Sequence, residues 1–201
     1  MAMTKNFLEA IAKRRSIYGI SKQTDVTQER IQEIVEQAAL HTPSAFNSQS
    51  ARVVLLFGEQ HDKLWSITME TLRKIVPAGA FSQTEQKINS FAAGAGTVLY
   101  FEDMSVVEGL QKQFALYKDN FPIWSLQSNG MLELVIWTAL EQEGLGASLQ
   151  HYNPLIDDEV KSIWKLPAPW KLIAQMPFGA MTAEPDAKEF QPIRDRLKVF
   201  K

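Results

Sequence analysis

The sequence predicts a layered α/β fold of the α+β kind, with a small central sheet covered by helices on both faces. Two observations carry this. An uninterrupted apolar run at 53–57 and a second segment at 97–101 have the character of strands buried on both sides. Between and around them lie longer segments whose apolar residues recur at three- and four-residue spacing, the mark of amphipathic helices. The composition agrees: 201 residues, 45% hydrophobic and 22% charged, are the proportions of an ordinary globular chain.

The first helix is expected from Asn6 to about Arg14, with Phe7, Leu8, Ile11 and Ala12 on one face. A second follows Thr27, an N-cap residue, with Ile31, Ile34, Val35, Ala38 and Ala39 along one side. Thr42-Pro43 ends it, because proline constrains its predecessor and cannot extend the hydrogen-bond ladder. A loop rich in hydroxyls and amides, 43–50, leads into the strand at 53–57. Helices are expected at about 62–76 and 83–92, then the strand at 97–101 and a helix over 106–116. The segment 125–142 has almost no polar face and should be buried nearly all round. Gly144-Leu145-Gly146 breaks it, and a short strand is expected over 147–150. A small helix near 157–164 and a strand near 172–176 complete the core. The end of the chain, 196–200, alternates polar and apolar residues like a half-buried edge strand, which would need a sheet edge, and that edge could belong to a second subunit. Residues 1–201 read as one domain, with a tail from about 180 to 201.

Composition also excludes function classes. A net charge of −2 and a pI of about 6.0 lack the basic excess of a nucleic-acid binder. No apolar stretch reaches the length of a membrane span. The amphipathic stretch 1–13 has no apolar signal core. The chain has no cysteine, hence neither disulfides nor thiolate chemistry, which suits a cytoplasmic protein. His41, His61 and His151 show no metal-ligand spacing, so no metal site is expected. Neither Gly94-Ala95-Gly96 nor Gly144-Leu145-Gly146 has the third glycine of a dinucleotide fingerprint. No Gly-x-Ser-x-Gly elbow is present.

Four segments remain as candidates for binding. Arg14-Arg15-Ser16 closes the first helix; the cations complement its dipole, or they capture a phosphate with a planar fork of donors beside a hydroxyl. The loop containing Ser44, Asn47 and Gln49 is a polar turn, or a hydrogen-bonding rim for a polar heterocycle. The glycine-containing stretch 144–152 is a helix stop, or a place where backbone N–H groups approach a ligand. Lys188 is a surface lysine or a second phosphate donor.

In order and spacing these four segments resemble the FMN-dependent nitroreductase superfamily. The family begins with a helix ending in Arg-x-Ser, here Arg14 and Ser16. About thirty residues later it carries Pro-Ser-x-x-Asn-x-Gln-Pro, here Pro43, Ser44, Asn47 and Gln49, with Ser50 where proline is common. The segments 96–103 and 146–153 are similar to a narrower, fatty-acid-repression-like branch that includes a bacterial copper-induced nitroreductase. The resemblance implies a mixed, mainly antiparallel sheet and a homodimer with FMN at the interface. In that picture Arg14, Arg15 and Ser16 bind phosphate and ribityl oxygens, and Pro43, Ser44, Asn47 and Gln49 reach the flavin from the partner. Leu149, Gln150 and His151 face the edge of the flavin ring, and Lys188 is the phosphate ligand of the tail, with Arg194 and Arg196 nearby in sequence. One polar contact falls among Gln83, Gln86, Lys87 and Asn89. Phe46, Tyr18, Phe121, Trp124 and Tyr152 are candidates to wall an acceptor pocket. The implied activity is transfer of electrons from NAD(P)H to small aromatic acceptors, nitroaromatics or quinones, by a ping-pong cycle, FMN itself carrying the chemistry. The alternative is a flavin-binding sensor or storage protein with little turnover.

Overall fold

Residues 6–201 are described in a computed structural model; residues 1–5, the start of the amphipathic N-terminal stretch, lie outside the described residues. The helices are α1 (Phe7–Lys13), α2 (Gln28–His41), α3 (Gly58–Arg73), α4 (Phe81–Ala92), α5 (Met104–Gln113), α6 (Phe121–Gln142), α7 (Asp157–Ile163) and α8 (Ile193–Arg196). The strands are β1 (Ile20–Ser21), β2 (Ala51–Phe57), β3 (Gly96–Asp103), β4 (Leu145–Ala147) and β5 (Trp170–Met181). Every strand pairing is antiparallel: β2 with β3, β3 with β5, and β5 again with β4 and β1. The one parallel feature is an isolated bridge between Ser16 and Ala147.

β3 shows why the apolar runs signalled buried strands. Val98 and Tyr100 point to one face, where α2 and α6 supply Ile31, Val35, Leu132, Ile136 and Leu140. Leu99 and Phe101 point to the other, against Leu64, Trp65, Ile88, Phe91 and Val160 from α3, α4 and α7. Alternation by two puts a residue into each core in turn, so the run is apolar beyond Thr97, whose hydroxyl is satisfied by hydrogen bonds.

That second core also holds a closed polar network. Ala92 O can only accept, so His61 donates from Nε2 (3.2 Å) and its Nδ1 accepts from the Thr97 hydroxyl (2.8 Å). Trp65 Nε1 donates to the same Thr97 oxygen at 3.0 Å. Burial lowers the His61 pKa, and the ring is neutral.

Thr27 caps α2 as expected, its hydroxyl accepting from Arg30 N. α3 starts earlier than its apolar pattern, at Gly58, directly from the end of β2. The short strand expected over 147–150 lies at 145–147 instead, and Gln150 makes only a separate bridge to Gln175. Gly144, at φ +83°, ends α6 in a left-handed conformation that glycine adopts without penalty.

Three expectations need correction. α1 buries only Ala10; Phe7 and Leu8, on its expected core face, are exposed. α6 is not buried all round. Ser125, Asn129, Leu132, Ile136 and Leu140 face the sheet, whereas Ile123, Leu126, Met131, Leu134 and Val135 are 40–56% exposed. The helix packs on one face of the sheet, and among the described residues no element covers the side that carries these five. The tail forms no strand among the described residues: α8 ends at Arg196, and 197–201 is irregular, exposed and paired with no strand of the chain.

Candidate functional site

The basic cluster leaves α1 at its C-terminus, where Arg14 N donates to Ala10 O at 2.8 Å. The next residues run beside β4, with Ile17 N donating to Ala147 O at 2.9 Å. This close approach requires Gly146: a Cβ there would lie 2.7 Å from the Ile17 side chain. The Arg14 guanidinium consequently lies over the Trp137 ring of α6, 4.3 Å from its centroid. Its Nε is buried without a hydrogen-bond partner. Burial first, and the neighbouring Arg15 second, lower the Arg14 pKa. Among the described residues neither arginine forms an ion pair. Two adjacent cations, one partly desolvated and neither in an ion pair among the described residues, are left with donors to offer a ligand.

Arg15 and Ser16 line a cleft of about 380 Å³ with Tyr18, Gly19 and the segment 183–186 that follows β5. An adjoining cleft of about 350 Å³ brings Lys13, Trp137, Glu141 and Met181 to Arg15. Trp137, Glu184 and Asp186 are members of this neighbourhood that sequence reading missed. Trp137 sits in an unbroken apolar helix, and the two acids sit in a featureless tail, so neither had a local signal.

The second group sits elsewhere. Residues 45–47 make one turn of 3-10 helix, with Phe46 and Asn47 at φ +57° and +50° and Gln49 at +48°. Three non-glycine residues in left-handed backbone store of order 1–3 kcal/mol each, and persist only where the surroundings impose them. Here Phe46 is held among Phe114, Tyr117, Phe121 and Trp124, stacked on the last at a centroid distance of 6.1 Å. The Ser44 hydroxyl accepts from Gln49 N at 2.9 Å, and Arg52 Nη1 donates to Gln49 O at 2.6 Å. Pro43, Ser44 and Gln49 line a small cleft against Ser128 and Leu132 of α6. Pro43 also borders a groove of about 680 Å³ between α2 and α6, lined by Ile34, His41, Val135 and Ala139. Phe46 and Trp124 border a further cleft of about 370 Å³.

The remaining candidates are placed separately. Leu149 packs on the core under α6, and Gln150 is buried, its backbone paired with Gln175 and its Nε2 donating to Ser148 Oγ at 3.1 Å. His151 is exposed, and Lys188 lies on the exposed tail, with Nζ 5.3 Å from the Phe190 ring centroid. Within one chain, then, Arg15 and Ser16 share a cleft, Pro43, Ser44 and Gln49 share another, and the two have no lining residue in common. No cluster of metal-binding side chains occurs among the described residues, nor does any helix there have the length and apolarity to cross a membrane.

Known proteins resemble this chain along its length. Residues 11–180 match the model of the nitroreductase family. The chain is 33% identical over 202 residues to HBN1 of Saccharomyces cerevisiae, covering all of both proteins. The nitroreductase CinD of Lactococcus lactis, solved in complex with chloramphenicol, superposes with a TM-score of 0.90 at 42% identity, over 98% of this chain and 100% of CinD. A nitroreductase of Desulfitobacterium hafniense with bound FMN shares the fold, with a TM-score of 0.70 at 15% identity over 99% and 100% of the two chains.

Proposed function

Because the chain belongs to the nitroreductase family of oxidoreductases, we propose that it is an FMN-dependent enzyme that passes electrons from NAD(P)H to nitroaromatics, quinones or similar flat acceptors. The observation that carries this is the buried, unpartnered Nε of Arg14 beside an unneutralised Arg15. A phosphate monoester supplies what that cluster lacks: negative charge and several acceptor oxygens for a planar fork of donors. Bound FMN supplies the redox chemistry of its ring.

The chain's own residues do the rest. Arg14 and Ser16 would hold the phosphate and the adjoining sugar chain. The Trp137 ring under Arg14 limits its rotamers, so less freedom is lost on binding. Arg15, close by, would stabilise negative charge on the reduced ring. A second copy of the chain contributes Pro43, Ser44, Asn47, Gln49 and Lys188, a homodimer in which two incomplete clefts are joined. The exposed apolar side of α6 and the α2–α6 groove support that assembly. Leu149, Gln150 and His151 border the ring on the sheet side. Phe46 and Trp124 offer faces on which a planar acceptor stacks. The CinD complex with chloramphenicol, a nitroaromatic, supports that acceptor class. Donor and acceptor use one open face in turn, and a chain without cysteine suits the cytoplasm.

The test is a titration of the purified protein with FMN, followed by oxidation of NADH and NADPH in the presence of a nitroaromatic. Quenching of flavin fluorescence, turnover, and parallel lines in initial-rate plots are expected. A protein that binds no FMN overturns the proposal; one that binds it without turnover is a flavin carrier.

A further inference from the structure

The loop 44–50 joins α6 through a buried polar cluster that the proposed chemistry does not use. Glu102 on β3, Asn129 on α6 and Ser50 at the start of β2 are each fully buried. Asn129 spends its two N–H donors on Phe101 O (3.1 Å) and Glu102 Oε1 (2.8 Å). Three oxygens then remain buried without a partner: Glu102 Oε2, Asn129 Oδ1 and Ser50 Oγ. The Ser50 hydroxyl lies beside the Glu102 carboxyl, and the Ser50 carbonyl accepts from Asp103 N at 2.9 Å. With Glu102 ionised, the cluster has one free hydrogen, on Ser50, for the remaining acceptors, and an anion is buried among them. Nature rarely leaves such a deficit.

We propose that Glu102 carries a proton at pH 7, and that this hydrogen, donated within the Ser50–Asn129 pair, clasps the loop 44–50 to α6. Glu102 is thus a positioning residue for the loop. Its role in catalysis rests on the reading above, whereas its protonation does not. Hydrogen bonds from Asn129 and Ser50 and the charge of Arg52 favour the ionised form, and burial opposes them. Arg52, the nearest cation, is occupied by Asp103 at 3.0 Å. Asp103 opposes a second negative charge; Glu133, one turn along α6 from Asn129, has its own pKa raised by burial alone. Lys171, opposite Glu102 on β5, is exposed. Burial, the largest influence, holds the Glu102 pKa above the ordinary carboxylate range. The position is informative in sequence too: Ser50 stands where the family pattern has proline, which has no hydroxyl to share.

Isotope-edited infrared spectroscopy on the FMN-free protein tests the proton directly. We expect a neutral carboxylic acid signal at pH 7, separate from that of Glu133, whose pKa is also raised to about 7; Glu102→Gln should remove it and Glu133→Gln should not. A neutral-acid signal at pH 7 that Glu102→Gln leaves unchanged overturns the inference. In the holoenzyme, wild-type KM for a nitroaromatic should rise as the pH is taken above neutrality, because ionised Glu102 releases the loop. Glu102→Gln, whose amide N–H replaces the acid O–H, should keep the neutral-pH KM and flatten the profile. Glu102→Ala should raise KM about tenfold at every pH, with kcat nearly unchanged. A Glu102→Gln enzyme that is destabilised as much as Glu102→Ala, or that keeps the wild-type profile, overturns it as well. Failure of the protein to bind FMN would sink the functional reading and leave the infrared result standing.

Discussion

Replacing Arg14 with methionine separates a structural from a ligand-binding role, because the two predict opposite balances. In the FMN-free protein the change forfeits the contact with Trp137, worth about 0.5–2 kcal/mol for a partly desolvated pair. It also removes a buried nitrogen without a partner, whose cost is about 1–3 kcal/mol, and the repulsion from Arg15. These offset, so FMN-free stability should change by no more than about 1 kcal/mol, a Tm shift of about 2–4 °C for a chain of this size. FMN binding should instead lose a charge-assisted hydrogen bond of about 1.5–3 kcal/mol, a roughly 10- to 150-fold rise in Kd. Fluorescence titration and thermal melts with and without FMN measure both quantities. A fall in FMN-free Tm beyond about 8 °C with an unchanged Kd would refute the reasoning and make Arg14 a structural pin between α1 and α6.

Three further outcomes follow from the structure. His61 is buried neutral with its pKa lowered from 6.5, so its contribution to stability is complete above that value and is lost as the pH falls below it; urea melts across this range should show that acid-side loss, and His61→Gln should diminish it. Burial raises the Glu133 pKa to about 7 from 4.5. The folded state therefore favours the protonated form, and stability falls as the pH rises through 7. Glu133→Gln should be more stable than wild type at pH 8 by about 1–2 kcal/mol, a figure discounted for the partial exposure of the side chain, with the difference gone at pH 4.5. An equal gain at both pH values would show that the charge is irrelevant. Finally, Val135→Glu places a charge on the outer side of α6 and should yield monomers in sedimentation analysis; an intact dimer would place the interface elsewhere.

The parts of the fold legible in sequence were those decided by the chain's own periodicity. The runs at 53–57 and 97–101 became β2 and β3, because a strand covered on both faces is mostly apolar and accepts a polar residue only where a partner satisfies it, as at Thr97. Thr27 and Thr42-Pro43 bounded α2 because caps and prolines act locally. Features decided by distant partners were not legible. α6 is apolar on all sides, and nothing in its sequence distinguishes the side that meets Tyr100 and Met176 from the side left bare. The tail's alternating residues looked like a strand, but alternation cannot by itself bring a segment to a sheet edge. The same division runs through the site. Arg14, Ser16, Ser44 and Asn47 were picked out by type and spacing. The ring beneath Arg14, and the cluster of Glu102, Asn129 and Ser50, exist only because β3 and α6 cross where they do.

The separation of the two clefts within one chain has a genetic corollary. If each complete centre draws its cationic half from one copy and its amide-bearing half from another, a lesion at Arg14 and a lesion at Asn47 are complementable in trans. Mixed dimers of two individually inactive alleles would concentrate both defects in one centre and regenerate the other intact. Co-expression of such alleles would restore partial activity, whereas two lesions in the same half never would.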